Sequence, residues 1–299
     1  MFEVGLIVSR LLHYTATLTL FGVSIFPLYI YPKLRTGSHL NWATSRWLAA
    51  AAFVSGLFWY ASVTFSMAGK LDFDALWSVL SETSFGKIWM IRLILMIVLV
   101  LAAVKLKSPL GRRIWLFPAL CAGLLVSLAG VGHTQIENGI THFIHTGADG
   151  LHLLAAGAWL GGLISLFSLV ARAVQTSSAD WDAEARNAAI RFSGMGYLAV
   201  ATLIVSGLIN SWFLIGYPSN LGTPYGQLLI VKLVLFAAML GLAGVNRFLI
   251  VPKLIKANAG YHSGGLVSLR RHIFGEQALG LAIILIVSVL GTMQPAITP

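Results

Sequence analysis

The chain has 299 residues, of which 58% are hydrophobic and only 10% charged, and its mean hydropathy is +0.84. Soluble domains carry about a quarter charged residues, so composition excludes a soluble enzyme or nucleic-acid-binding module and leaves a polytopic membrane protein. The single cysteine, Cys121, sits in an apolar run and excludes a disulfide framework or thiolate metal cluster, while the formal net charge of +10 has to be explained by where the charges lie.

Crossing ~30 Å of hydrocarbon takes about 20 apolar residues. Such runs recur along the chain at Val4 to Ile30, Trp47 to Met67, Phe85 to Val104, Ile114 to Val131, Thr146 to Val170, Ile190 to Leu214, Tyr225 to Ile250 and Ile273 to Met293. They predict a single integral membrane domain, an all-α bundle of eight transmembrane helices. The opening stretch MFEVGLIVSRLLHY lacks a basic leader and has an arginine inside its apolar run, which reads as a retained helix and not a cleaved signal. Around Asp180 to Arg186 a short surface helix is expected.

The connections divide sharply by charge. The first carries Lys33, Arg35 and Arg46; the third Lys105, Lys107, Arg112 and Arg113; the fifth Arg172, Arg186 and Arg191; the seventh Arg247, Lys253, Lys256, Arg270 and Arg271. The second, fourth and sixth hold only Lys70 and Lys87. Lysine and arginine gather on the cytoplasmic side, so both termini are predicted to be periplasmic, and most of the net charge is an orientation signal.

Three basic residues remain inside spans: Arg10, Arg92 and Lys232. Each lies about six residues from the outer end of its span, roughly 9 Å deep at 1.5 Å per residue. Charges at such depth mark a polar interior site, unless they snorkel outward to the headgroups. His13 follows Arg10 by three residues, which disfavours a lipid-facing role for that pair.

The richest stretch is Gly132 to Gly162, GHTQIENGITHFIHTGADGLHLLAAGAWLGG. In a helix, His145, Asp149, His152, Ala156 and Trp159 follow at three- or four-residue spacing and share a face. His13, His133, His152 and Asp149 are predicted to converge in the outer half of the bundle, with Asn210 nearby. Imidazole ligates copper and zinc and is also the axial ligand of haem, so a metal or cofactor site is the expectation, with single hydrogen-bonded histidines as the alternative. Glu137, His142 and His145 read as a loop capture site or as polar connector. Ala155 to Gly162 is small enough to place this span centrally.

Glu276, near the inner end of the last span, predicts either a buried pairing with Arg247 or Arg271 supported by Asn246, or a proton or ion relay. Methionines 67, 96, 239 and 293 form no ladder and read as ordinary span residues. With no phosphate-binding glycine loop and no phosphorylation loop, ATP-driven pumping is excluded.

The motifs R-L-L-H (Arg10, His13), S-F-G-K-I-W-M-I-R (Phe85 to Arg92), G-H at 132–133, D-G-L-H-L-L-A-A-G-A-W-L-G-G from Asp149, Lys232, and N-R-F-L-I-V-P-K-L from Asn246 resemble the copper-resistance protein D (CopD) family. The resemblance implies a multi-pass bacterial inner-membrane protein of copper homeostasis that moves copper inward from the periplasm, beside a small periplasmic copper-binding partner of the CopC type. His13, His133, His152 and Asp149, with His142 and His145 as weaker candidates, would then ligate or balance copper. Arg10, Arg92, Lys232 and Asn210 would shape the pocket. A positive field at that depth opposes bare cation transit, which leaves a rival: a haem b-binding or quinone-linked redox protein, with histidine axial ligands and Arg or Lys on the propionates.

Overall fold

The computed structural model describes residues 2–31, 42–105, 115–132, 139–176, 178–256 and 263–297. Their regular structure is helical throughout. In chain order come α1 (Phe2–Ile30), α2 (Trp42–Ala68), α3 (Phe73–Glu82), α4 (Ser84–Lys105), α5 (Leu116–Val126), α6 (Ile140–Thr176), α7 (Ala179–Ile215), α8 (Pro224–Val245), α9 (Val251–Lys256) and α10 (Ser263–Leu290). Among the described residues seven helices are long and apolar enough to cross a membrane. The predicted span at 114–131 falls short of that length: α5 has 11 residues, and the chain tightens into a 3-10 turn at Ala129–Val131. The helical ladder ends here in a Ser-Leu-Ala-Gly-Val-Gly stretch, whose glycines and serine favour turns over helix.

The second connection, between α2 and α4, contains the short helix α3. Asp72 caps α3 by accepting a hydrogen bond from the Ala75 N–H at 2.8 Å. Lys70 Nζ lies 2.7 Å from the Asp72 carboxylate, and that ammonium, with the Ala75 N–H, holds the Asp72 carboxyl below its usual range. Ala75 and Val79 face inward, and the Tyr60 hydroxyl donates to Leu76 O at 2.5 Å. A Cβ at Gly86 would overlap the carbonyls of Val79 and Leu80, so glycine lets α4 start directly beneath α3.

Helices α6 and α7 have 37 residues each, about 55 Å at 1.5 Å per residue, and both outrun the ~30 Å hydrocarbon core at the end rich in Arg and Lys. The segment expected as a separate surface helix is the first turns of α7. There the Arg172 guanidinium covers the Trp181 ring at 4.2 Å, and the Tyr31 hydroxyl donates to the Glu184 carboxylate.

Helix α6 packs on α1, α5, α7 and α10. Its crossing with α1 depends on glycine: a Cβ on Gly161 would lie 2.7 Å from Leu18 O and 2.8 Å from Gly22 Cα. Close backbone approach of this kind gives membrane helices their packing contacts when lipid is as apolar as the side chains. Two cores flank the crossing, one around Trp59, Trp89 and Phe117 between α1, α2, α4 and α5, the other around Trp159, Phe192 and Met239 between α6, α7, α8 and α10.

Candidate functional site

At the end of the bundle remote from the basic segments, a cavity of about 170 Å³ is lined by Arg10, His145, Asp149, His152, Asn210 and Lys232. The α6 spacing puts His145, Asp149 and His152 on one wall. α7 contributes Asn210, α8 Lys232 and α1 Arg10. Asn210 Nδ2 donates to Asp149 Oδ1 at 3.1 Å, while Asn210 Oδ1 is buried with no hydrogen-bond partner. The Arg10 guanidinium donates to Gly291 O, just past the end of α10, where helix carbonyls lack intrahelical donors, and its Cζ lies 5.2 Å from the Trp59 ring centre.

The hydrogen bonds fix the tautomer of His152. Ser206 Oγ donates to Thr202 O at 2.5 Å, so toward His152 Nδ1, 3.0 Å away, it can only accept. The ring proton is therefore on Nδ1, and Nε2 keeps its lone pair, the arrangement in which an imidazole binds a metal. His145 departs from the expected loop position. The helix begins at Ile140, and His145 is buried at 2% exposure with its ring stacked 4.7 Å from that of Phe213. His142, half-buried in the first turn, sets its ring against Phe143 at 5.7 Å and does not line the cavity. His133 and Glu137 lie outside the described residues.

His13 and Arg92 form a second, separate cluster. Both are fully buried. Arg92 donates to His13 Nε2 at 2.5 Å, to Leu124 O at 3.0 Å and to Ser127 Oγ at 2.7 Å. His13 Nδ1 lies 3.1 Å from Ala52 O and 3.2 Å from Ser55 Oγ, so it donates and Nε2 accepts. Both ring nitrogens are committed, and neither residue lines the cavity that holds His152. Trp59 and Trp89, 5.2 Å apart, enclose the pair. The three cations within spans share a depth but not a place: Arg10 and Lys232, both half-buried, meet at one cavity, and the fully buried Arg92 braces α1, α4 and α5. Among the described residues no three His, Cys, Asp or Glu side chains are close enough to hold a metal ion.

Two further cavities follow toward the basic end. His152 and Lys232 also border an apolar space of about 480 Å³ that reaches Trp159 and Met239. Trp159 in turn borders one of about 220 Å³ lined by Glu276, Asn246, Arg247 and Tyr197. The pairing of Glu276 with Arg247 that the sequence offered is not formed, whereas the supporting Asn246 is in place. Glu276 accepts from Asn246 Nδ2 at 2.6 Å and from Trp159, while Arg247 Nε donates to the Tyr197 hydroxyl at 3.1 Å. The cause is local: the chain passes through a π-helical turn at Asn246–Ile250, which turns Asn246 inward and leaves Arg247 at the rim.

Ser206 escapes the sequence reading because a serine in a span is usually bonded to its own helix. Its spacing of four from Asn210 was the available signal, since it puts both on the α7 face opposite His152 and Asp149.

Residues 1–143 match the family model described as copper resistance protein D-like, N-terminal domain, and residues 186–290 match that of copper resistance protein D. The chain is 28% identical to inner membrane protein YebZ of Escherichia coli (strain K12) over 97% of its length and 98% of that protein. It is 29% identical to copper resistance protein D of Pseudomonas syringae pv. tomato over 97% and 96% of the two chains. With copper transport protein CutJ of Bacillus subtilis (strain 168) the identity is 30% over 74% of this chain, but only 39% of that protein. No solved structure gives a significant match. With both family models matched in order across an all-helical bundle, the chain belongs to the copper resistance protein D family.

Proposed function

We propose that this protein takes copper at the outer cavity and passes it toward the basic side, from periplasm to cytoplasm across a bacterial inner membrane. The observation that supports the reading is His152: Ser206 holds its proton on Nδ1, so Nε2 keeps a lone pair on a residue that lines the same cavity as Asp149. His152 and Asp149 are the ligands, and His145 lines the same cavity without sharing the ion with both of them. Asn210 orients Asp149. The following cavities at Trp159 and Glu276 supply the inward route.

Lys232 and Arg10 select what enters. Their field repels cations, and the penalty scales with the charge carried. A Cu(I) ion bound to imidazole therefore meets half the repulsion of a divalent ion, and Asp149 offsets much of the remainder. In this reading α5 and its 3-10 turn complete an eighth crossing, with both termini periplasmic. A periplasmic copper carrier of the CopC type delivers the ion to the cavity mouth.

Among the described residues the histidines do not fit a haem. His145 and His152 lie on one helix, about 10 Å apart along its axis at 1.5 Å per residue, and His13 has no free nitrogen. Bis-histidine clamping needs imidazoles on facing helices.

Metal analysis of the purified protein with competition by a Cu(I) chelator tests the site. His152→Ala and Asp149→Asn should lose the bound copper, and His13→Leu should keep it. Unchanged occupancy in His152→Ala removes the assignment. Vesicle uptake from the face opposite the basic loops tests the direction.

A further inference from the structure

Glu276 is 2% exposed in the inner half of the bundle, and no lysine or arginine pairs with it among the described residues. An ionisable group inside a membrane protein is costly to keep there without a role. A structural lock would pair it with a cation, yet Arg247, which lines the same cavity, is turned to Tyr197. The partners it has instead are an amide and the Trp159 indole.

That choice of partner matters chemically. Asn246 Nδ2 donates to Glu276 Oε1, and Asn246 Oδ1, on the other arm of the same amide, is buried with no hydrogen-bond partner. When the carboxyl is ionised it accepts from Nδ2. When it is protonated, a half-turn of the amide presents Oδ1 to accept the carboxyl O–H. One side chain thus serves both protonation states, which an arginine, having donors only, cannot do. The π-helical turn that aims Asn246 inward is the kind of helix irregularity found at functional sites. Glu276 also borders the cavity of about 220 Å³ whose rim carries Arg247 and Tyr197, at the basic end of the bundle.

We propose that Glu276 and Asn246 form a proton-exchange site, loaded and unloaded from the side of the basic loops through this cavity. The groups facing it are few. Tyr197 on α7 and Arg247 at the π-turn line the cavity, and α6 presents only the Trp159 indole. His272, one turn earlier on α10, has a buried Nδ1 with no hydrogen-bond partner and is the next group outward along the same helix face. A single carboxylate with an amide is too sparse a set for a divalent metal, which takes four or more ligands, whereas a proton needs only one acceptor. Only the sidedness rests on the orientation proposed above.

Infrared difference spectra between acid and alkaline buffers test the site on the full-length protein in lipid vesicles. A carbonyl band of a protonated carboxyl should appear on acidification, shift in D₂O, vanish in Glu276→Gln and persist in Asp149→Asn. Glu276→Asp, which keeps the group should Glu276→Gln fail to fold, should retain a displaced band. Asn246→Leu should slow deuterium exchange of the band by removing the two-way partner. A pH-dependent band that survives in Glu276→Gln, the lack of any pH-dependent band, or one that responds only to pH on the face opposite the basic loops overturns the proposal. Copper uptake by the same vesicles is scored separately: the band without uptake keeps the proton site and removes the copper reading, and uptake without the band does the reverse.

Discussion

Replacing Arg92 by methionine separates a structural brace from a copper ligand set. Methionine fills much of the arginine stem, so the main loss is three hydrogen bonds. Two of the abandoned partners remain satisfied, because Ser127 Oγ donates to Leu124 O at 2.6 Å. His13 Nε2 alone is orphaned, and one buried unsatisfied group costs about 1–3 kcal/mol. Against this stands the relief of a buried guanidinium that has no carboxylate partner among the described residues and whose Nε is unbonded; replacing buried charge by apolar groups is often neutral or stabilising by about 1–4 kcal/mol. The single variant should therefore lie within about 2 kcal/mol of the parent. Adding His13→Leu removes the orphan, so Arg92→Met/His13→Leu should be more stable than Arg92→Met by about 1–3 kcal/mol, the energy of that one acceptor. Unfolding in mixed detergent–lipid micelles, followed by tryptophan fluorescence, reads this directly, because Trp59 and Trp89 enclose the pair. A double variant less stable than Arg92→Met would refute the brace, and copper lost on His13→Leu would return His13 to the ligand set.

Ser206→Ala frees the His152 tautomer without touching the metal-facing nitrogen, and should weaken Cu(I) binding about 10–100-fold, the usual effect of losing a group that orients a ligating histidine; chelator competition measures it. Gly161→Ala forces α1 and α6 apart at Leu18 O and should destabilise by about 1–3 kcal/mol. Gly123→Ala on α5, where a Cβ meets nothing within 4 Å, should be neutral or mildly stabilising in the same unfolding assay. The Asp72 carboxyl is held below its ordinary range, so its contribution to α3 is present above that range and fades as pH falls through the lowered value. The protection of the Ala75 amide against hydrogen exchange, relative to its intrinsic rate at each pH, should fall in acid in the parent and should be low at every pH in Asp72→Ala.

What could be read from the chain was what depends on local spacing. The α6 face of His145, Asp149 and His152 follows from 3.6 residues per turn, and depth along a span follows from counting residues at 1.5 Å each. Azimuth does not. Arg10 and His13 are three residues apart, which on an α-helix is about 60° of rotation. On a helix surrounded by α2, α5, α6 and α10 that angle is enough to change neighbours: Arg10 reaches the end of α10 and His13 faces α2 and α4. Three cations at one depth therefore divided between a cavity and a brace, a distinction that sits in the packing order of the helices and has no signature in any single span.

The same limit holds at the inner end, where the sequence places Arg247, Arg271 and Asn246 within reach of Glu276 and only packing selects the amide. Asn246 and Arg247 are adjacent, so in a regular helix they stand about 100° apart and either could have turned toward α10. The π-turn at Asn246–Ile250 settles which one does. Inserting that irregularity to bury an amide, with an arginine next to it and free to point outward, places beside the carboxylate the one kind of side chain that can both donate to it and accept from it. Were neutralisation the purpose, one residue's shift in the turn would have brought the guanidinium to Glu276.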